Sequence, residues 1–219
     1  MPSFGVQTEA SSAPFGERSK QRGVTSHNEF KRRHDGGFFM QTRDIVLSAL
    51  CAILTALSAR ISVPLGAVPV TLQVLVVLLS GFLLGRRLGA LSQIAYIAMG
   101  LLGFPVFTTG GGIQSVLSPT FGYILGFVPM AWCAGRLTEG ERPGVARYFL
   151  AGVASVAVLY VAGASFLFWN MAVIVGKPIG VVRAIQVGVL PFIGIDAVKA
   201  IVAASIAWKI RPRLRAARK

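Results

Sequence analysis

Long apolar blocks, each separated from the next by a short run of Gly and Pro or of Lys and Arg, occupy residues 43–209. Each block approaches the roughly 20 residues that a helix needs to cross about 30 Å of hydrocarbon. A transmembrane barrel would instead give segments of about 10 residues in which every second residue is polar. The stretch "VTLQVLVVLLSGFLLG" shows no such alternation. The expected fold class is therefore all-α integral membrane. Composition agrees, because 54% hydrophobic and only 14% charged residues, with a mean hydropathy of +0.67, leave too little polar surface for an ordinary soluble domain.

Six transmembrane helices are expected, near 43–61, 70–85, 88–103, 119–137, 147–170 and 188–209. Lys and Arg concentrate in the N-terminal tail, in "GRRLG", in "GRLTEGERPGVAR" and from Lys209 onward, while the alternate connections carry Lys177 and Arg183. With six crossings the four basic regions share one side, so the positive-inside rule places both termini in the cytoplasm. An odd number of crossings would put the two basic tails on opposite faces. The domain reading is a disordered basic tail over 1–42, a six-helix substrate-binding domain over 43–210 and a basic tail over 211–219. The first of these is polar and rich in Ser, Gly, Glu, Arg and Lys, which is the composition of a segment that buries too little to fold.

A net charge of +14 would point to nucleic acid in a soluble protein. Here the positive-inside pattern accounts for the same residues, and no nucleic-acid motif or aromatic interleaving accompanies them. Cys51 and Cys133 lie singly in apolar spans and read as small buried hydrophobes. His27 and His34 are both in the N-terminal tail, so no His-based metal site is expected within the membrane, and no resident cofactor is expected anywhere. Neither HExxH nor GxSxG occurs, which leaves an intramembrane enzyme without its parts.

Two connections on the side opposite the basic regions are unusual. "SVPLGAVPVT" carries two prolines, and "GFPVFTTGGGIQSVLSPTFGY" adds three consecutive glycines to two more. Neither can be uniform helix. Non-helical backbone at membrane depth is tolerated only where protein or a cavity satisfies its amides. Both segments fit structured extracellular loops over an outward-facing pocket, and both also fit ordinary surface loops.

Asp196 is the acidic residue well inside a span, and Lys199 stands three residues on, in "VLPFIGIDAVKAIVAASIAW". Residues at i and i+3 share a helix face, and ionisable groups in membranes face the bundle interior or a wet cavity. The pair reads as a site for a polar solute, one acceptor beside one donor; it equally fits a mutual ion pair that neutralises two buried charges. Gln73, with Thr71, opens the second span as a ligand contact or as an amide holding a neighbouring helix. Tyr123 in "SPTFGY" offers a ring and a hydroxyl to a ligand or to the membrane interface. Ser48, Ala52 and Ala56 repeat at four-residue spacing, the pattern that lets helices approach closely.

Taken together, "VPVTLQVLVVLLSGFLLGRRLGALSQIAYIAMGLLGFPVF", "GGG", "PTFGYILGF" and "PFIGIDAVKA" resemble the BioY family of biotin transporters, the substrate-binding S components of energy-coupling-factor (ECF) importers. The resemblance runs from about Arg43 to Trp208. Ser118 and Phe121 depart from the family's GPTGGY pattern. The resemblance implies an S-component-like bundle in the plasma membrane that captures biotin from outside, surrounded by membrane lipid. Asp196 would meet the ureido N–H groups and Lys199 the carboxylate or carbonyl. Tyr123, Thr120 and Gln73 would add packing or hydrogen bonds, and Gly111 and Gly112 would close over the ligand. Ser48, Ala52 and Ala56 would dock on an ECF transmembrane coupling subunit. The chain has no P-loop motif of its own, so two ATPase subunits are the further implied partners. The alternative is a stand-alone transporter for biotin or a related small carboxylate.

Overall fold

The computed structural model describes residues 41–65, 68–140 and 143–216. The tail expected to be disordered lies, apart from its last two residues, outside them. Helix α1 spans Thr42–Ala59 and leads into a hairpin of β1, Ser62–Leu65, and β2, Val68–Thr71. Then follow α2, Gln73–Leu84; α3, Arg86–Leu101; α4, Phe121–Leu137; α5, Val145–Val173; α6, Val181–Gly188; and α7, Leu190–Ala216, with a 3-10 turn at Ile113–Leu117 ahead of α4. By length and composition, α1, α5 and the Leu190–Leu214 stretch of α7 can cross a membrane, and α2 and α4 are apolar but shorter.

The protein is thus mostly helical, and it departs from the sequence expectation in two places. The proline-containing connection after α1 is a β-hairpin, registered Ser62 to Thr71 and Val63 to Val70, with Pro64 opposite Pro69. Facing prolines lack the N–H that a ladder exchanges, so they sit where a two-stranded ribbon needs none. The connection ahead of the expected sixth span carries a further short helix, α6, while that span itself corresponds to α7. Pro191 lies in the first turn of α7, where its missing N–H costs nothing, and the chain turns between Gly188 and Leu190 to begin that helix anew.

Helices α2 and α3 form a tight antiparallel pair. Gly85 joins them at φ 87°, a conformation that a side chain resists. A Cβ on Gly89 would lie 2.8 Å from the Cα of Gly81, so the two backbones touch where glycines meet. In α7 the buried Ala200, Ala203, Ala204 and Ala207 give a smooth face against the bundle, which suits a membrane protein whose helices associate by close packing. Phe82 and Tyr148, both fully buried, meet edge to face at 5.3 Å between ring centroids.

Arginines close the end of the bundle at which α4 stops. Arg211 is buried, and its Nη1 donates to the Thr138 carbonyl and to the Tyr148 hydroxyl at 2.5 and 3.2 Å. Arg147 donates to the Leu137 and Glu139 carbonyls at 2.8 and 2.9 Å, and Arg86 pairs with Glu139 at 3.1 Å. Arg147 and Arg211 thus meet carbonyls of the kind that a helix C-terminus leaves unpaired, and Arg86 meets a carboxylate just beyond it. Helix α7 continues past residue 210 to Ala216 and turns Arg211 inward.

Candidate functional site

A cavity of about 520 Å³, part of it open to solvent, lies at the hairpin end of the bundle. Val68 to Thr71 of the hairpin and Gln73 form one wall, while Thr120, Tyr123, Ile124 and Phe127 of the α4 segment form another. Leu159 and Tyr160 come from α5, Phe192, Asp196 and Lys199 from α7, and Thr108 from the loop after α3. Four polar side chains predicted from the sequence, plus the ring of Tyr123, therefore reach one space from three helices.

The charged pair sits at the cavity wall with its side chains 4% and 8% exposed. Lys199 Nζ donates to Asp196 Oδ1 at 2.7 Å, and the Tyr160 hydroxyl donates to Asp196 Oδ2 at 2.8 Å. Each carboxylate oxygen thus has one partner. A carboxylate offers about four acceptor directions and an ammonium three donors, so both groups keep capacity for a ligand. The chemistry is that of a neutral pair with a donor side and an acceptor side, in surroundings where an unmet charge is costly.

The other predicted residues divide by how much of their capacity the fold already uses. Tyr123 donates its hydroxyl to the Gly188 carbonyl at 2.7 Å and its ring lies so close to Gly163 that any Cβ there would overlap it. It offers a ligand its ring, and its hydroxyl pins the junction of α6 and α7. Gln73 accepts from the Thr71 hydroxyl at 3.1 Å and donates to the Tyr96 hydroxyl at 2.6 Å, which in turn donates to the Val106 carbonyl at 3.3 Å. This chain ties the hairpin to the loop after α3. Thr120 shares a 2.9 Å hydrogen bond with Ser118.

Gly111 and Gly112 are not among the cavity-lining residues. Gly112, at φ 96°, donates its N–H to the Gly100 carbonyl at 2.7 Å, and Gly111 abuts the backbone of Phe104. The glycines fold the loop back on α3, and Thr108 is the loop residue that reaches the cavity. Ser48 and Ala52, expected on a docking surface, are buried at 4% and 1% exposure, with Ala56 half-buried. The Ser48 hydroxyl points at the Leu88 carbonyl, 3.5 Å away. Their small side chains let α1 approach the chain's own α3, while Ile53 and Leu57 face outward.

Sequence reasoning passed over Tyr160, Thr108 and the aromatic walls Phe127 and Phe192. Tyr160 had a signal, a lone hydroxyl inside the apolar run "VAVLYVAGA". Thr108 and the phenylalanines had none, since nothing local tells which side of a loop or helix faces a cavity.

A family model for the BioY family matches residues 27–216. The chain belongs to the BioY family. It is 38% identical over 178 residues to the probable biotin transporter BioY of Lysinibacillus sphaericus, covering 81% of this chain and 91% of that protein. It is 36% identical over 170 residues to the biotin transporter BioY of Thermotoga maritima, covering 77% of this chain and 96% of that one. The fold is similar to the crystal structure of the S-component for biotin from an ECF-type ABC transporter, with a TM-score of 0.66, 24% identity, and coverage of 78% and 94% of the two chains. The BioY-family chain is a multi-pass membrane transporter protein, not an enzyme.

Proposed function

We propose that this chain binds biotin in the hairpin-end cavity and is the substrate-specific component of an ATP-driven importer. The observation that carries the reading is the Asp196–Lys199 pair at the cavity wall, complementary to a ligand that has ureido N–H donors, a ureido carbonyl and a carboxylate. Asp196 accepts from the ureido N–H groups, and Lys199 donates to a carbonyl or carboxylate oxygen. The thiophane ring packs against Tyr123 and the phenylalanine walls. The names of the relatives and of the similar solved structure support the same ligand.

In this reading the chain crosses the membrane six times, α6 lying aside, with the cavity open to the exterior and the arginine-rich end in the cytoplasm. A coupling subunit meets the outward face of α1, where Ala56 lies beside Ile53 and Leu57, and two ATPase subunits supply the energy. Titration calorimetry of the purified protein with biotin tests the ligand. Asp196→Asn and Lys199→Ala should each weaken binding more than tenfold, because losing a charge-assisted contact costs about 2 kcal/mol and about 1.4 kcal/mol is tenfold. Wild-type affinity in either folded variant would leave the pair a structural device and overturn the assignment.

A further inference from the structure

A second cavity, of about 880 Å³, opens between α5, α6 and α7, and Tyr160 stands between it and the first. Its walls are apolar apart from Tyr160 and Ser165: Val161, Ala164 and Phe168 on α5, with Val181, Ala184 and Ile185 among those facing them. From Tyr160 to Phe168 the crevice follows about 12 Å of helix at 1.5 Å per residue. Tyr160 is near the middle of α5, which can cross a membrane, so the crevice begins at hydrocarbon depth.

The far end of the crevice has the features of a membrane interface. Trp169, 48% exposed, follows Phe168 directly, and exposed tryptophan marks the headgroup level. Just beyond, Lys177 precedes α6 by four residues and Arg183 is next to the crevice-lining Ala184. Both are exposed, and neither forms an ion pair among the described residues. An apolar slot beside an aromatic, bordered by a chain segment that carries two exposed cations, Lys177 before α6 and Arg183 on it, matches a molecule that is hydrocarbon at one end and anionic at the other.

We propose that the α5–α6–α7 crevice is a phospholipid site, one acyl chain lying along α5 from Phe168 toward Tyr160 and the phosphate held near Lys177 and Arg183. The site is independent of what the first cavity binds. Its occupant forms the membrane-side backing of Tyr160, whose hydroxyl holds Asp196 on the other side.

Native mass spectrometry of the delipidated full chain with phosphatidylglycerol or phosphatidylcholine tests the proposal. One phosphatidylglycerol should be retained by the wild type. Ser165→Trp on α5 and Val181→Trp on α6, both exposed positions, should each fill the crevice and reduce retention at least tenfold. Lys177→Gln with Arg183→Gln should retain lipid but lose the preference for phosphatidylglycerol over phosphatidylcholine. Equal retention in both tryptophan variants would overturn the site, and so would displacement of the lipid by millimolar inorganic phosphate, which would reduce it to an anion site without a chain. A phosphatidylglycerol with a mid-chain diazirine, photolysed on the wild type, gives a readout free of folding effects. Labelling concentrated on residues 160–168 and 181–189 supports the crevice; labelling spread evenly over the exposed face of α1 refutes it.

Discussion

Asp196 is held from two directions, by a cation three residues along its own helix and by a phenol from α5. The two partners have separable consequences. Tyr160→Phe removes one neutral donor and leaves the ion pair, so biotin affinity measured by calorimetry should fall about fivefold, in line with roughly 1 kcal/mol for such a bond. Exchanging the pair for apolar groups of similar size, Asp196→Leu with Lys199→Met, should leave the thermal unfolding temperature in membrane-mimetic detergent at or above the wild-type value, because buried ion pairs seldom outperform good packing. The same double variant should show no measurable biotin binding. If instead it unfolds at a much lower temperature, the pair exists for stability. Single replacements do not separate these cases, since Lys199→Ala strands a carboxylate in the interior.

Among the elements, α1 gives the sharpest contrast between pattern and placement. Its small residues at four-residue spacing were legible, and so was their meaning as a close-contact face, but a helix face does not say which helix it meets. Ser48 and Ala52 turn to the chain's own bundle. Ala52→Trp should therefore lower the unfolding temperature through overpacking, at a cost of about 1–3 kcal/mol. Ile53→Trp, at a position 48% exposed, should leave it within error; a thermal-shift series compares the two directly. The hairpin shows the opposite relation. Two prolines sufficed to exclude helix over Ser62–Thr71, yet strand pairing depends on two short segments meeting, which no local preference dictates.

For the whole molecule, the distribution of cations sets an expected orientation. With Cys51 and Cys133 replaced by Ala, a cysteine introduced for Lys177 should react with a membrane-impermeant maleimide in intact cells, and one introduced for Lys209 only after permeabilisation. The reverse pattern would invert the proposed orientation and put the cavity on the cytoplasmic side. Arg86, Arg147 and Arg211 also illustrate that basic residues near a membrane are not only topological signals: converging on Leu137 to Glu139, they satisfy the end of α4 from three other parts of the chain.

Apolar block length and the concentration of Lys and Arg were enough to establish a helical membrane protein, because hydrocarbon imposes its thickness and its intolerance of unpaired amides on any chain that crosses it. The i,i+3 spacing of Asp196 and Lys199 likewise placed both charges on one face before any fold was known. Only the tertiary structure decided that Tyr160 completes their hydrogen bonding, that Tyr123 and Gln73 spend polar groups on the fold, that Gly112 ties its loop to α3, and that α1 buries Ser48 and Ala52. Those outcomes depend on which residues distant in the chain become neighbours, and helical periodicity carries a residue's direction around its own axis without naming what stands opposite.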